Sequence, residues 1–378
     1  MKIGFDAKRF FHNFTGLGNY SRSVVETLAK FHPENEYHLF NPKQRESPRT
    51  DFVKNYPNIH THLPQGISAA LHPLWRSYWI NSDLKKYSLD VFHGLSNELP
   101  MGIEKTGISS VVTIHDLIFE RFPHLYPWID RNIYSHKFKS ACHRADQIVA
   151  ISQQTKNELM EWYDIPETKI KVIYQSCSSQ FYPEMTEGVS VGAVLKKYQL
   201  PSEYLLYVGT INERKNLMGV LKALKGIEYK TDIPCVVIGD GTHYLKVVEQ
   251  YVERHGLEKR FILRKKVDFS DMPTLYRSAQ LFIYPSIAEG FGIPIIEALN
   301  SSIPVITGTA QCLREAGGPD SAYIDPFNAE QMGADILDIL HNNSRRERMI
   351  SSGLEYVERF RDERVGEEWM KNYNDLKK

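Results

Sequence analysis

Short apolar runs alternate with amphipathic helical stretches along this chain, and the alternation starts again near its middle. The run Ile108–Ile114 is rich in β-branched residues, which is typical of a strand buried on both faces. Tyr204–Gly209 and Leu281–Pro285 repeat the pattern in the second half. Buried parallel strands need helical crossovers, so this rhythm predicts an α/β protein with two doubly wound, Rossmann-like domains. Ligands of such sheets bind beyond the carboxyl ends of the strands, and the cleft between the two domains is the expected site.

The boundaries follow from composition. The chain has 378 residues, which suggests two domains at about 150 residues each. Residues 176–201 are polar, contain two prolines, and are interpreted as the boundary and linker. We predict an N-terminal domain over residues 1–178, a C-terminal domain over residues 202–360 and a final amphipathic helix over residues 361–378.

Charge and cysteine content exclude several classes of protein. Lys plus Arg equals Asp plus Glu, so the formal net charge is zero. This balance offers no argument for a nucleic-acid partner, and we predict none. The four cysteines lack metal-site spacing, and we expect buried thiols in a reducing compartment. The first residues do not resemble a signal peptide, and no apolar run is long enough to span a membrane. We therefore expect a cytoplasmic protein.

The segment Glu289–Glu297 carries the strongest functional signal. It follows an apolar strand, and Gly290-Phe291-Gly292 would let the backbone approach a ligand closely. Pro294 suits the start of a helix, which would place Glu297 in the first turn, where the helix dipole favours a carboxylate. Glu297 could then accept hydrogen bonds from vicinal hydroxyls such as those of a ribose. An acidic helix start without any ligand is the alternative.

A second candidate segment runs from Gly209 to Asn216. A buried strand ends at Gly209, and Arg214 and Lys215 stand directly before a predicted helix. Helix-start amides, a bidentate guanidinium and an ammonium together suit a diphosphate. An exposed basic pair is the alternative, but its place at the carboxyl end of a strand favours a binding site.

Two weaker signals lie in the N-terminal half. Gly16-Leu17-Gly18 is a glycine loop between the first strand and a helix that we expect to begin near Asn19. It lacks the third glycine of a dinucleotide fingerprint, so it is interpreted either as a loop that closes over a phosphate or as a plain turn. His115-Asp116 ends the buried strand Ile108–Ile114, where catalytic residues gather, although such a pair is often structural.

No Asp-x-Asp motif and no metal-ligand spacing occurs in the chain. The sequence therefore predicts no metal and no cofactor. If a diphosphate leaves, Arg214, Lys215 and helix amides would neutralise its charge.

Taken together, these segments resemble the retaining GT-B glycosyltransferases called family 4, or glycosyltransferases group 1. The resemblance spans nearly the whole chain and is most specific in the second half. Its motifs there occur in the family's order: Val208–Leu217, Val237–Gly241, Leu275–Ala279, Tyr284–Ser286, Glu289–Glu297, Pro304–Thr307, Leu313–Gly317 and Ile324–Pro326. The implied fold is GT-B, with two Rossmann-like domains that face a central cleft and a final helix that crosses back onto the N-terminal domain.

The resemblance also implies roles for single residues. Arg214 and Lys215 would hold the donor diphosphate, Glu297 the ribose hydroxyls and Glu289 the transferred sugar. His115 would lie beside that sugar. The remaining donor contacts would be Gly209, Gly290, Phe291, Gly292, main chain around Lys266 and Val267 at the base, and Gly16 and Gly18 closing over the phosphates.

The implied activity is hexosyl transfer with retention from a nucleotide diphosphate sugar to a saccharide or lipid-linked saccharide, as in polysaccharide biosynthesis. The segments Thr15–Tyr20 and His115-Asp116-Leu117 resemble a branch rich in mannosyltransferases, which favours GDP-mannose, with a UDP-glucose-type donor second. A peripheral contact with the inner face of a membrane is compatible with such an acceptor. A nucleotide-sugar epimerase or phosphorylase and an inactive sugar-nucleotide binding protein of the same fold stay open as alternatives.

Overall fold

The computed structural model of the protein describes residues 1–185 and 190–377. The chain divides into two compact units by contact clustering. Unit 1 comprises Met1–Ser176 together with Asp362–Lys378, and unit 2 comprises Cys177–Arg361. Each unit holds one parallel sheet, which confirms the predicted α/β class with two Rossmann-like domains.

The sheet of unit 1 has seven strands. They are β1 (Lys2–Asp6), β2 (Glu36–Phe40), β3 (Ile59–His62), β4 (Val91–Gly94), β5 (Ser109–Ile114), β6 (Gln147–Ala150) and β7 (Ile170–Val172). Their order is β3-β2-β1-β4-β5-β6-β7, so the direction of winding reverses between β1 and β4. All six residues of β5 are buried, as its β-branched composition predicts for a central parallel strand.

The helices of unit 1 cover both faces of this sheet. They are α1 (Lys8–His12), α2 (Gly16–Phe31), α3 (Ile67–Ala70), α4 (His72–Leu74), α5 (Ile80–Lys86), α6 (Ile118–Arg121), α7 (Trp128–Arg144) and α8 (Gln153–Tyr163), and a π-helical turn (Trp75–Trp79) joins α4 to α5. Helix α8 begins after Ser152, whose side chain accepts a hydrogen bond from the Thr155 amide.

Three features of unit 1 differ from the sequence prediction. Helix α2 begins at Gly16 rather than near Asn19, so the glycine loop forms the first helical turn. Strand β3 lies within a segment whose sequence shows no pattern typical of a strand or a helix. Helix α7 was not predicted, because only Ala141 and Cys142 of its 17 residues are buried and its apolar residues follow no single stripe.

The sheet of unit 2 has six strands. They are β8 (Leu205–Val208), β9 (Cys235–Ile238), β10 (Phe261–Arg264), β11 (Leu281–Tyr284), β12 (Val305–Gly308) and β13 (Ala322–Ile324). Their order is β10-β9-β8-β11-β12-β13. The winding therefore reverses between β8 and β11, and ligands of doubly wound sheets bind at such a switch point.

Helices α9 to α16 belong to unit 2. They are α9 (Val191–Lys197), α10 (Leu217–Gly226), α11 (His243–His255), α12 (Met272–Arg277), α13 (Ile293–Asn300), α14 (Gln311–Gly317), α15 (Ala329–His341) and α16 (Asn343–Val357). The predicted linker therefore needs correction: α9 lies within it, and Arg264 donates hydrogen bonds to the carbonyls of Tyr198 and Gln199, which ties this segment to unit 2. Residues 186–189 of that linker lie outside the described residues.

The last helix, α17 (Asp362–Leu376), packs against α2 of unit 1. Its apolar side is formed by Val365, Trp369 and Tyr373, which are buried. The segment that follows unit 2 in sequence thus completes the core of unit 1.

Candidate active site

The loop after β8 holds two cations in a fixed turn. Glu213–Lys215 forms a single 3-10 turn, whose last amide is capped by the Asn212 side chain at 3.1 Å. Asn216 follows in the left-handed region, with φ 52°, and its side chain accepts a hydrogen bond from the Gly219 amide at 3.2 Å. Asn216 is thus the N-cap of α10. The backbone that carries Arg214 and Lys215 is therefore fixed relative to the end of β8.

The loop after β11 is bonded to this turn. The amide of Ile287 donates to the Arg214 carbonyl at 2.8 Å, and Oγ of Ser286 lies 3.2 Å from the same carbonyl. Strands β8 and β11 are neighbours in the sheet, so the two loops leave the same edge side by side. This adjacency brings the two predicted segments into one site.

Glu289 lies between the two cations. Its Oε1 is 2.5 Å from Nζ of Lys215, and its Oε2 is 2.8 Å from Nη1 of Arg214. Tyr284 and Ser286 donate hydroxyl hydrogen bonds to Oε1 at 3.0 and 2.6 Å. The carboxylate is therefore held by two charges and two hydroxyls. The roles of Tyr284 and Ser286 were missed, although both stand in the motif Tyr284–Ser286 that carries the resemblance.

The environment fixes the protonation of this cluster. Burial alone would raise the pKa of Glu289, but Lys215 and Arg214 outweigh it and hold that pKa at about 2. Burial lowers the pKa of Lys215, against the attraction of Glu289. With Glu289 ionised and both cations charged, the cluster carries one excess positive charge. Such a preorganised, half-buried cationic site suits a diphosphate.

Glu297 lies on the neighbouring helix α13. The predicted helix start needs a correction: Ile293 is the first residue, Pro294 the second, and Glu297 lies beyond the first turn. The hydroxyl of Tyr276 donates to its Oε2 at 2.9 Å. Burial raises the pKa of Glu297 to about 7, against the effect of that hydrogen bond. Its carboxyl therefore changes charge near neutral pH.

The three residues after Glu289 serve close packing. Phe291 is buried against Phe360, with 5.5 Å between ring centroids. Gly292 has φ 157°, and a Cβ there would lie 3.1 Å from the Ala316 side chain. Gly290 is buried as well. The close packing seen at Gly292 is thus against α14, and the predicted approach of these glycines to a ligand stays a prediction.

The other predicted residues of unit 2 lie at two different places. Gly209 directly follows β8 with φ 148°, and its carbonyl would meet a Cβ on Gly239 at 2.0 Å. Lys266 and Val267 follow the edge strand β10, two strands away from β8. Lys266 is exposed and Val267 half-buried. The structure does not bring these two residues into the Glu289 cluster, and their contact with the base stays a prediction.

His115 lies in unit 1 and is buried, as expected for the end of β5. Its Nε2 lies 2.9 Å from the Leu95 carbonyl, which only accepts, so Nε2 carries the proton. The Asn97 side chain accepts from the His115 amide at 2.9 Å. Burial lowers the pKa of His115 to about 4, so the ring is neutral at neutral pH. Its place beside the transferred sugar stays a prediction.

A buried polar chain supports this histidine. Tyr373 of α17 binds Nδ1 of His93 at 2.8 Å, and Nε2 of His93 lies 2.8 Å from Oγ1 of Thr113. Thr113 binds the hydroxyl of Tyr20 at 2.9 Å, and the Tyr20 ring meets the His115 ring edge to face at 4.6 Å. Neither this chain nor Asn97 was predicted, because their partners are far apart in sequence.

Gly16 and Gly18 occupy the first turn of α2. A Cβ on Gly18 would lie 1.7 Å from the Asn13 carbonyl oxygen, whereas a Cβ on Gly16 would meet nothing within 4 Å. Gly18 is therefore required by packing, and Gly16 faces open space. The proposed closure of both over a phosphate stays a prediction.

No group of three or more His, Cys, Asp or Glu side chains within residues 1–185 and 190–377 has the arrangement of a metal site. Across the same ranges, no helix has the length and apolar character needed to cross a membrane. All four cysteines are buried thiols that form no disulfide.

Comparison with known proteins identifies the family. Residues 196–356 match the family described as glycosyl transferases group 1, and residues 14–177 match glycosyltransferase family 4. O-antigen chain mannosyltransferase B of Escherichia coli is 31% identical over 376 residues, which cover 95% of this chain and 96% of that protein.

Solved structures share the fold at low identity. Anabaena HepE, in complex with UDP and glucose, has a TM-score of 0.74 at 16% identity over 99% of both chains. A glycosyltransferase of Rickettsia africae has a TM-score of 0.76 at 17% identity, over 99% of this chain and 98% of that chain. The chain belongs to the group 1 glycosyltransferases and has the GT-B fold.

Proposed function

We propose that this glycosyltransferase transfers mannose from GDP-mannose to a saccharide or lipid-linked saccharide acceptor, with retention at the anomeric carbon and without a metal. The observation that carries the transfer chemistry is the Arg214–Glu289–Lys215 cluster at the switch point of the unit 2 sheet. The mannosyl assignment is supported by the resemblance of this chain to the E. coli O-antigen mannosyltransferase.

In this mechanism the leaving group is a nucleoside diphosphate. Arg214 and Lys215 offer N–H donors to its oxygens, and their excess positive charge stabilises the negative charge that develops as the sugar–oxygen bond breaks. The Lys215 amide donates to the Asn212 side chain, and the Ile287 amide donates to the Arg214 carbonyl. These hydrogen bonds hold the Arg214–Lys215 turn before the donor arrives, so little reorganisation is needed during the reaction.

Glu289 and Glu297 bind two different parts of the donor. Ionised Glu289 accepts hydrogen bonds from hydroxyls of the transferred sugar, which orients its anomeric carbon. Glu297 accepts from the ribose hydroxyls. For retention, the acceptor hydroxyl attacks from the face that the diphosphate leaves, and a phosphate oxygen takes the acceptor proton. The new glycosidic bond forms as the bond to the diphosphate breaks.

The donor is tested with a thermal-shift panel of GDP-mannose, UDP-glucose and an ADP-sugar. A ligand at about 100 times its dissociation constant stabilises the folded protein by about 2.7 kcal/mol. We expect the largest shift with GDP-mannose. A larger shift with UDP-glucose would instead favour the second candidate, a glucosyl-type transferase.

The reaction is tested by product analysis in the presence of EDTA. We expect an α-mannoside product, assigned from its anomeric coupling in NMR, at a rate that EDTA does not change. A β-linked product would contradict retention, and loss of activity that Mg²⁺ or Mn²⁺ restores would contradict the metal-free mechanism. Donor binding without transfer to any acceptor would favour an inactive binding protein, and conversion of the nucleotide sugar without transfer would favour an epimerase.

A further inference from the structure

Three arginines of unit 1 converge on one aromatic ring. Phe14 lies between α1 and α2, and Arg45 and Arg49 come from the segment that follows β2. The Cζ atoms of Arg45, Arg22 and Arg49 lie 4.6, 5.7 and 5.7 Å from the centroid of the Phe14 ring. We call Arg22, Arg45 and Arg49 the arginine cluster. The activity proposed above gives none of these three residues a role.

The arginine cluster lies at the carboxyl edge of the unit 1 sheet. Arg22 is on α2, which follows β1, whereas Arg45 and Arg49 follow β2. Strands β1 and β2 are parallel neighbours, so the segments after them leave the same edge of the sheet. Ligands of doubly wound sheets bind beyond this edge. The cluster is therefore placed where a substrate of unit 1 is expected.

Hydrogen bonds to neutral groups hold the arginine cluster in place. The Arg22 guanidinium donates to the carbonyls of Phe10 and Asn13 at 2.7 and 2.9 Å. The Arg49 guanidinium donates to the carbonyl of Phe14 at 3.0 Å. These bonds and the ring contacts orient the guanidinium groups before any ligand arrives, but they leave the positive charges uncancelled.

No carboxylate neutralises these charges. Within residues 1–185 and 190–377, none of the three guanidinium groups forms an ion pair. The carboxylates of the adjacent segment, Glu46 and Asp51, act on Lys54 instead. Arg22 is only 6% exposed, and burial, followed by repulsion from Arg49, lowers the pKa of Arg22 to about 10. A bound anion would relieve this repulsion.

The chemistry of the cluster favours a phosphate as that anion. Arg45 and Arg49 are exposed, and Arg45 donates no hydrogen bond to any residue that the structure describes. The planar guanidinium group binds phosphate oxygens in pairs. A phosphate ester carries up to two negative charges, whereas a carboxylate carries one. Three uncompensated guanidinium groups therefore suit a phosphate better than a carboxylate.

Donor and acceptor are the two substrates that could carry this phosphate. In the proposed mechanism the donor diphosphate already has two cations, Arg214 and Lys215 of unit 2. A neutral saccharide acceptor would need no cation, since neutral donors and acceptors bind its hydroxyl groups. An acceptor that carries a phosphate is therefore the substrate that gives the arginine cluster a use.

We propose that the arginine cluster binds a phosphate group carried by the acceptor. The phosphate belongs either to a phosphorylated sugar residue or to a diphosphate at the reducing end of the saccharide, and both present the same chemistry to the guanidinium groups. The inference rests on the proposed function, because it takes a saccharide as the acceptor. Binding of phosphate to the cluster can nevertheless be measured without transfer.

Calorimetric titration of the full-length protein with inorganic diphosphate tests the site directly. Saturating GDP is present throughout, so that Arg214 and Lys215 are occupied. We expect the wild type to bind diphosphate, and Arg45→Gln combined with Arg49→Gln to weaken this binding at least about tenfold. Raising the salt from about 0.1 M to about 1 M should weaken binding to the wild type, because both side chains are exposed.

Lys30 and Lys105 supply the matched control, because both are exposed lysines of unit 1. Lys30 is in the last turn of α2, about 20 Å from its first turn. Lys30→Gln combined with Lys105→Gln removes the same charge and should bind diphosphate like the wild type. Absence of binding by the wild type, or equal losses in both double variants, would overturn the proposal.

Initial rates with three soluble acceptors identify the source of the phosphate. These are one oligosaccharide as its methyl glycoside, the same oligosaccharide with a phosphate on an inner residue, and the same oligosaccharide with a short alkyl diphosphate at its reducing end. We expect one of the two phosphorylated acceptors to have a KM at least about tenfold below that of the methyl glycoside. Arg45→Gln combined with Arg49→Gln should remove this difference. The assay contains no lipid, so a membrane headgroup cannot produce it.

Three outcomes of these rates would overturn the proposal. They are equal KM values for all three acceptors in the wild type, an undiminished difference in the Arg45→Gln, Arg49→Gln variant, and a rise in the KM for GDP-mannose alone, which would assign the cluster to the donor. Diphosphate binding at the cluster without transfer to any acceptor would contradict only the proposed function. Transfer without diphosphate binding would contradict only the phosphate site.

Discussion

Nζ of Lys215 lies 2.5 Å from Oε1 of Glu289, although one residue follows β8 and the other follows β11. Only 12% and 11% of the two side chains are exposed, so water screens their attraction weakly. Arg214 binds the other oxygen of the same carboxylate. Without a donor, Glu289 therefore offsets part of the positive charge that a diphosphate would use.

Replacing this carboxylate is expected to separate binding from catalysis. Glu289→Gln keeps the shape of the side chain but leaves the charge of Arg214 and Lys215 uncompensated. We expect GDP to bind about fivefold more tightly, about 1 kcal/mol, and turnover to fall by about 100-fold or more because the sugar loses an ionised acceptor. Calorimetric titration of GDP and initial rates measure the two effects.

Glu213 supplies the control, because it is an exposed carboxylate in the same turn. Glu213→Gln should change neither GDP affinity nor turnover by more than about twofold. Weaker GDP binding to Glu289→Gln than to the wild type would contradict the charge argument.

The stability of the free protein should depend on pH through Glu297. Burial raises the pKa of Glu297 from 4.5 to about 7, so the folded state holds this proton more tightly than the unfolded chain. That contribution is fully present below about pH 4.5 and is lost as pH rises through 7. Relative to Glu297→Gln, the wild type should lose on the order of 2 kcal/mol between pH 4.5 and 8. Urea denaturation at several pH values measures it, and parallel profiles would refute the raised pKa.

Donor binding should also depend on the charge of Glu297. GDP affinity should rise with pH over the range in which the stability contribution of Glu297 falls. Only ionised Glu297 accepts hydrogen bonds from both ribose hydroxyls through unprotonated oxygens. We expect GDP affinity to rise between pH 6 and 8 in the wild type and to change less in Glu297→Gln. Identical pH profiles of GDP affinity in the two proteins would remove Glu297 from the ribose contact.

Gly16 and Gly18 form a matched pair in the first turn of α2. Gly18→Ala would press a methyl group onto the Asn13 carbonyl and should lower the free energy of unfolding by roughly 1–3 kcal/mol. Gly16→Ala faces open space and should leave stability unchanged. Thermal unfolding of both variants decides this, and equal stabilities would contradict the packing argument.

The hydrogen bond between Tyr373 and His93 should stabilise unit 1. Tyr373→Phe would leave Nδ1 of His93 buried without a partner, at a cost of roughly 1–3 kcal/mol. Tyr229→Phe, at a 95% exposed position, is the neutral control. Calorimetric unfolding should show a lower midpoint for Tyr373→Phe alone, and an unchanged midpoint would show that His93 finds another partner.

The location of the site was predictable from the sequence, because Arg214, Lys215 and Glu289 each follow an apolar strand and such strand ends meet at one edge of a parallel sheet. Their direct contact was not predictable. It depends on β8 and β11 being neighbours, and strand order is set by tertiary packing rather than by local pattern.

The residues that support His115 could not be predicted from the sequence, for a related reason. Asn97 adopts φ 62° and binds the His115 amide, yet nothing in its local sequence indicates either property. Tyr373 reaches His93 across 280 positions of sequence. Helix α7 was missed because its outer side carries Trp128 and Ile129, and periodicity assigns apolar residues to the core.

The central claim is that the Arg214–Glu289–Lys215 cluster performs glycosyl transfer. Its most direct test is the turnover of Arg214→Ala and Glu289→Ala with GDP-mannose and a saccharide acceptor, beside Arg348→Ala, which changes an exposed arginine of α16. We predict that the first two variants lose about 100-fold or more, a barrier increase of about 2.7 kcal/mol, and that Arg348→Ala retains wild-type turnover. Near wild-type turnover in both Arg214→Ala and Glu289→Ala would contradict the account.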